Sequence, residues 1–446
     1  MDLLIENAYM ILTMDNGKII RNGAIVVDDN RIIDFGETSY IIRKYGRNFD
    51  EVIDASKMVV SPGFIQTHVH LVQTLFRGLA DDLSLLDWLF KKILPFEANI
   101  DRNGVYISSM LGCIELLKSG TTTIVDFGSA RYENEVFKAI YDSGIRGFSG
   151  KILMNYNNGN IPKPLIQNCN EGLSESINLY KKWNNMDNRI KYIFTPRFVL
   201  SCTENCLREI AYRAREYNAL IQTHASENIN EVRLVKKRTG MRNIEYLYKL
   251  GLTGRDVIIA HAIWIDDRET SILKNTSTNI AHCPSSNLKL GSGIAKIPEM
   301  LDKDINVSLG ADGAPCNNNL DIFIEMRIAS LIQKVRLFNP KTMPAERIVK
   351  MATINGAKTV GMEDKIGMIR KNFLAGLTLI SLENIHLNPY TLQHNPYSII
   401  VYSAKSCDVR YTIVDGKILV RNGRTTFIDE KNIVRKSIEV IEKLIE

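Results

Sequence analysis

Residues 59–70, VVSPGFIQTHVH, decide the fold. An apolar run ending in His68 and His70 reads as a buried strand, and two residues that lie two apart on a strand project from the same face. Seven runs of the same style follow: TTTIVDFG (121–128), GIRGFSGKIL (144–153), RIKYIFTPRF (189–198), ALIQTHASE (219–227), DVIIAHAIW (256–264), TNIAHCPSS (278–286) and NVSLGADG (306–313). They are near-continuously apolar, and helical stretches such as VYISSMLGCIELLKSG separate them, as in a parallel sheet ringed by helices. The fold class predicted is α/β, a (β/α)8 TIM barrel. The rival is an open doubly wound sheet, but no GxGxxG follows any of the runs.

Outward from these runs the pattern changes. Residues 1–58 contain LLIENAYMIL, AIVVDDNRIIDFG and EVIDASKMVV, short β-rich runs broken by Asp15-Asn16-Gly17 and Asp28-Asp29-Asn30. Residues 366–446 repeat the style in LTLISL, SIIVYSA and VRYTIVDGKILVRNG, where Asp415-Gly416 is a hairpin signal. The two ends are expected to pair into one β-domain, 1–58 with 366–446, interrupted by a barrel domain over 59–365.

The chain has 446 residues and an apolar fraction of 45%, enough for a large core beside a smaller domain. A net charge of +6 with interleaved signs carries no nucleic-acid or membrane footprint, and Lys236, Lys237 and Arg238 read as a solvated helix face. The N-terminal run is broken by Glu6 and Asn7 and lacks a basic start, so it reads as a strand and not a signal peptide. No apolar segment reaches membrane-spanning length. Seven scattered cysteines without a CxxC pair suit reduced thiols, and a cytoplasmic location is expected.

Barrel chemistry sits at the C-terminal strand ends, and five of the seven histidines fall there: His68, His70, His224, His261 and His282. Asp312 ends the eighth run and Glu227 the fifth. An isolated HxH pair is as readily a pair of core histidines, but His224 and Asp312 at barrel intervals make His68, His70, His224 and Asp312 a metal-ligand set. Imidazole nitrogen with carboxylate oxygen favours Zn2+, with Fe2+ or Mn2+ as substitutes. Such a cation lowers the pKa of bound water, and Asp312 stands where it can take the proton. Glu227, three residues past His224, reaches substrate without ligating and suits general acid and base work; helix-terminus charge compensation is the plainer reading. His261 suits polarising the water or stabilising a developing oxyanion, against a structural role. His386 and His394 lie in the C-terminal β-unit, away from these residues.

The motifs PGFIQTHVH, HASE, HAIW, HCPSSNLKLGSG and LGADGAPCNNNLD resemble the amidohydrolase superfamily, in the branch of methylthioadenosine and S-adenosylhomocysteine deaminases, 5'-deoxyadenosine deaminases, guanine deaminases and triazine hydrolases. The resemblance covers essentially the whole chain. It implies a barrel inserted in a small β-sandwich built from both chain ends, one metal on His68, His70, His224 and Asp312, Glu227 as proton shuttle to a ring nitrogen and His261 as an aid to water activation. It also implies a small-molecule purine nucleoside as substrate, and a homo-oligomer is expected. Residues 73–97 resemble the loop after the first strand in adenosine-type deaminases, where Trp88 lines the pocket and Glu97 hydrogen-bonds ribose hydroxyls. The alternative for this loop is an amphipathic helix over the barrel mouth.

One departure points elsewhere. Where methylthioadenosine enzymes usually carry a histidine after the fourth strand, this chain has Arg197 in PRFVLSC, which is similar to guanine deaminase, where the arginine contacts the purine carbonyl. Gln73 in HVHLVQ also suits a guanine-type contact. Hydrolytic deamination of a 6-aminopurine nucleoside is favoured; guanine deamination or a triazine-type hydrolase stays the alternative. A second departure, IGMIRKNFLAGL at 366–377, places Asn372, Phe373 and Gly376 where the family has a glycine-lysine turn followed by Ala-Asp, and is expected to affect packing only.

Overall fold

A computed structural model describes residues 1–157 and 159–445. The chain forms two compact units: Met1–Gln66 with Ile114–Thr123 and Asp321–Ile428, and Thr67–Cys113 with Ile124–Leu320 and Asp429–Glu446.

The first unit holds a nine-stranded sheet made from both chain ends. The ends meet where Met58–Pro62 pairs antiparallel with Leu377–Ser381, placing Val60 opposite Leu379. Leu3–Leu12 lies next to Met58–Pro62 and pairs on its other side with Ile19–Asp28, which continues to Arg31–Glu37. Alternate side chains such as Leu3, Ile5, Ile25, Val27, Leu377 and Leu379 turn one way and form the core. The Asp415-Gly416 hairpin has φ of 50° and 78°, the left-handed pair that a two-residue turn requires. One segment differs from the sequence reading: SIIVYSA is not a strand, and its first five residues lie in the helix Pro396–Tyr402. Asn395 caps it by accepting from the Tyr397 N–H, and Pro396 opens the first turn, so the local start signal overrides the β-branched composition.

The second sheet is parallel, in the order Phe64–His70, Thr121–Asp126, Arg146–Ser149, Ile190–Pro196, Leu220–Ala225, Val257–His261, Asn279–His282 and Val307–Leu309. The eighth strand closes it. Val307–Leu309 pairs with Asn279–His282, and two residues later Asp312–Gly313 pairs with Val69 and His70 of the first strand. All eight expected runs are therefore strands of one closed sheet, as the (β/α)8 reading requires. The run 59–70 is nevertheless two strands, Met58–Pro62 in the first sheet and Phe64–His70 in the second, joined at Gly63. Gly310 is needed where the eighth strand crosses the first, because a Cβ there would lie 2.5 Å from the His68 carbonyl oxygen.

Cysteine usage also departs from expectation. Cys169, which opens the helix Cys169–Trp183, is bonded to Cys206 in the helix Glu204–Glu216. Not all seven thiols are reduced, because the helices after the third and fourth strands bring these two together. Cys113, Cys202, Cys283 and Cys316 are buried thiols.

Candidate active site

Phe64–His70 carries His68 and His70 to its C-terminal end, Leu220–Ala225 carries His224 and the eighth strand carries Asp312. The Nε2 atoms of His68 and His70 each lie 3.4 Å from Asp312 Oδ1, and His70 Nε2 lies 3.3 Å from His224 Nε2. Ligand atoms about 2.1 Å from a tetrahedral cation lie about 3.4 Å from one another, so this spacing fits a shared ion. Nε2 of His68 is buried and makes no hydrogen bond among the described residues, a donor that a metal would satisfy. His261 lies within 4.8 Å of the His68 and His224 donors, and Cys283 within 4.8 Å of those of His68 and Asp312.

Protonation favours the same role. Burial, reinforced by the neighbouring histidines, pushes His70 and His224 well below the ordinary imidazole value, so their lone pairs stay available. The His224 Nδ1–H donates to the Arg197 carbonyl at 2.9 Å, which turns Nε2 toward the cluster. The His261 Nδ1–H donates to Asn287 Oδ1 at 2.8 Å, leaving Nε2 facing Glu227 Oε2 at 3.5 Å and Asp312 Oδ2 at 3.8 Å. Ser286 Oγ donates to Asp312 Oδ2 at 2.6 Å.

The strand ends are bent to present these groups. Ser226, His261, Ala262 and Asp312 have φ of 56°, 75°, 47° and 64°, left-handed values that non-glycine residues rarely adopt. Each costs about 1–3 kcal/mol, and the surrounding packing must hold it. Glu227 follows Ser226 in the turn before the helix Ile229–Thr239 and is 6% exposed. Burial pushes its carboxyl up to about 7, against the opposing pull of His261.

A cavity opens over the cluster, with Gln73, Trp88, Arg197, Glu227 and Glu231 in its wall beside His70, His224, His261 and Asp312. Trp88 sits at the end of the short helix Leu85–Trp88, where a wider π turn, Leu89–Ile93, continues the segment. Glu97, from Leu94–Asn99, is buried but is not among the side chains lining the cavity. Its carboxylate takes Arg197 Nη1 at 2.6 Å and Nη2 at 3.2 Å, and the Gln73 amide nitrogen at 2.8 Å. Glu97, expected to contact ribose, and Arg197, expected to contact a carbonyl, are bonded to each other, and of the two only Arg197 lines the cavity. His282 is buried with its imidazole pushed down to about 3, and it does not line the cavity. His386 pairs with Asp408 in the first unit.

Sequence reasoning missed three residues. Asn287 and Ser286 stand in HCPSSNLK right after the seventh strand, where a strand-end position was the available signal. Glu231 occupies the third position of the helix capped by Asn228, where an acid is ordinary, so nothing marked it. It is 2% exposed, and burial pushes it up to about 8 although the Asn243 amide donates to it.

Donors spaced for one cation, with a proton-carrying carboxyl beside them at the mouth of a closed barrel, are the working parts of a metal-dependent hydrolase. The chain belongs to the amidohydrolase family, whose model matches residues 59–419. It is 38% identical over 451 residues to a 5'-deoxyadenosine deaminase of Methanosarcina acetivorans, covering 100% of this chain and 98% of that protein. It is 35% identical over 417 residues to a 5-methylthioadenosine/S-adenosylhomocysteine deaminase of Pyrococcus horikoshii, covering 93% and 94%. Among solved structures, a zinc-bound adenosine deaminase from Xanthomonas campestris superposes with a TM-score of 0.91 at 24% identity, covering 100% of this chain and 98% of that one, a likeness of fold.

Proposed function

We propose that the protein is a zinc-dependent deaminase of adenosine-type nucleosides, with 5'-deoxyadenosine and methylthioadenosine as the leading substrates. The observation that carries the chemistry is Glu227, a buried carboxyl pushed up to about 7 and 3.5 Å from His261 in a cavity over the His and Asp cluster. Full-length identity of 38% to a 5'-deoxyadenosine deaminase supports the substrate class.

His68, His70, His224 and Asp312 would hold the cation, which when bound supplies Lewis acidity that makes water a nucleophile near neutral pH. Glu227 holds a proton at its carboxyl and delivers it to the ring nitrogen next to the carbon under attack, making that carbon electrophilic. His261 Nε2, aimed by Asn287, accepts from the attacking water or stabilises the developing oxyanion. Asp312 Oδ2, held by Ser286, is the nearby acceptor for the water proton. Water adds across the C–N unit, the proton taken up by Asp312 passes to the amino nitrogen, the carbon–nitrogen bond breaks with loss of ammonia, and the remaining hydroxyl proton returns to Glu227. The nucleoside leaves with a carbonyl in place of its amino group.

Among the described residues no helix is long and apolar enough to cross a membrane. A cytoplasmic location and a homo-oligomeric state belong to the same proposal. The test is ammonia release by zinc-loaded protein from 5'-deoxyadenosine, methylthioadenosine, S-adenosylhomocysteine, guanine and aminotriazines. The proposal expects kcat/KM on an adenosine to exceed that on guanine or a triazine by at least about a hundredfold. Preference for guanine or a triazine overturns the substrate class.

A further inference from the structure

The polar end of the cavity holds a network of three side chains. Glu97, Arg197 and Gln73 are all buried, and Glu97 accepts from both of the others. Gln73 and Arg197 line the cavity, whereas Glu97 does not. An amide has one oxygen and one nitrogen, so directing Gln73 Nε2 at Glu97 fixes the opposite orientation for Oε1. That oxygen is buried and has no hydrogen-bond partner among the described residues. Its place depends on Gly313, since a Cβ there would lie 2.3 Å from it.

From this network we infer that Gln73 Oε1 is a specificity-determining atom that accepts a hydrogen bond from a hydroxyl of the bound ligand, and that Arg197 and Glu97 are positioning residues that set the amide's orientation. A buried acceptor without a partner is satisfied by a ligand donor and repelled by a ligand carbonyl. Arg197 uses two of its five N–H groups on Glu97, so those remaining can donate to an adjoining hydroxyl oxygen. One acceptor beside one donor matches vicinal hydroxyls, each of which can both donate and accept. It does not match a ring edge bearing only carbonyl or aza acceptors. The inference rests on the adenosine-type reading and assigns a sugar contact to Gln73.

Calorimetric titration of zinc-loaded Glu227→Gln protein with adenosine and with 2',3'-dideoxyadenosine tests it without relying on turnover. If that background still consumes the ligand, the ratio of KM values gives the same quantity. The parent should bind adenosine about tenfold or more tightly than the dideoxy compound, one hydrogen bond's worth. Adding Gln73→Leu should weaken adenosine about tenfold and leave the dideoxy compound within about twofold, so the ratio collapses. Arg197→Met should collapse it as well, and Arg197→Lys, which keeps a cation on Glu97, should restore part of it. A general loss of folding would weaken both ligands together and leave the ratio unchanged. The inference is overturned if the parent does not discriminate, or if Gln73→Leu keeps the parent's ratio. Hydroxyl-dependent binding without ammonia release by the wild type would instead refute the deaminase reading and leave this one standing.

Discussion

Glu227→Gln should slow the enzyme and stabilise it at the same time. The carboxyl is buried and its pKa is pushed from 4.5 to about 7, so a large share of it carries a proton at neutral pH and can deliver it to a ring nitrogen. General acid catalysis of this kind contributes about 10²–10⁴-fold, and glutamine of the same shape cannot supply it. We expect kcat to fall about 10³-fold with metal content unchanged, because Glu227 is not one of the four ligands. In the wild type kcat/KM should fall as pH rises through about 7, where the delivering form is lost, and that limb should be missing from the residual activity of the variant. For stability the sign is opposite. A folded-state pKa above the unfolded one means that the carboxyl's stabilising contribution is complete below about 4.5 and is lost by about 7, as an ionised group must be buried. A rise from 4.5 to about 7 corresponds to about 3 kcal/mol, so the glutamine variant should unfold at higher denaturant concentration at pH 8 and resemble the wild type at pH 5. Ammonia-release rates from pH 5.5 to 9 and urea unfolding at the two pH values are the assays. A kcat within about threefold of wild type, or an unchanged alkaline limb in the variant, would refute the assignment.

Asn287→Ala removes the acceptor that fixes the His261 tautomer, and kcat should fall about tenfold or more while Asn287→Asp, which keeps an acceptor, loses less; steady-state kinetics with metal analysis checks both. The Cys169–Cys206 bond closes a separation of 37 residues, so Cys206→Ser or added dithiothreitol should cost about 3–4 kcal/mol, read as a lowered Tm, and a Tm indifferent to reductant would argue against the bond.

The parts of this protein legible in its sequence are those with a local period. His68 and His70 lie two apart on a strand, so a common direction followed from the pleat alone, and the closed sheet then brought His224 and Asp312 beside them. The strand pairing of both chain ends was legible for the same reason, through alternation and the Asp415-Gly416 turn. Other features had no local signal. The break at Gly63 divides an apolar run between two sheets, and apolar composition is the same on either side of it. The helix Pro396–Tyr402 shows a capping residue and a proline outweighing β-branched content. Glu97 and Arg197 are 100 residues apart, and each alone looked like a substrate contact; their bond to each other exists only in the folded chain. Glu231 and Asn287 were hidden because a carboxylate at a helix start and an asparagine in a short helix after a strand are ordinary until burial and partners are known.

The central claim is that the His68, His70, His224 and Asp312 cluster holds a metal on which deamination depends. The most direct measurement is metal content and ammonia release from 5'-deoxyadenosine on the same samples: wild type as isolated, wild type after chelation and zinc reloading, and His68→Ala. The account predicts about one zinc per chain when loaded, loss of activity with the metal, recovery on reloading, and a variant that neither retains zinc nor recovers. Undiminished turnover by metal-free protein, or full zinc binding and activity in His68→Ala, would contradict it.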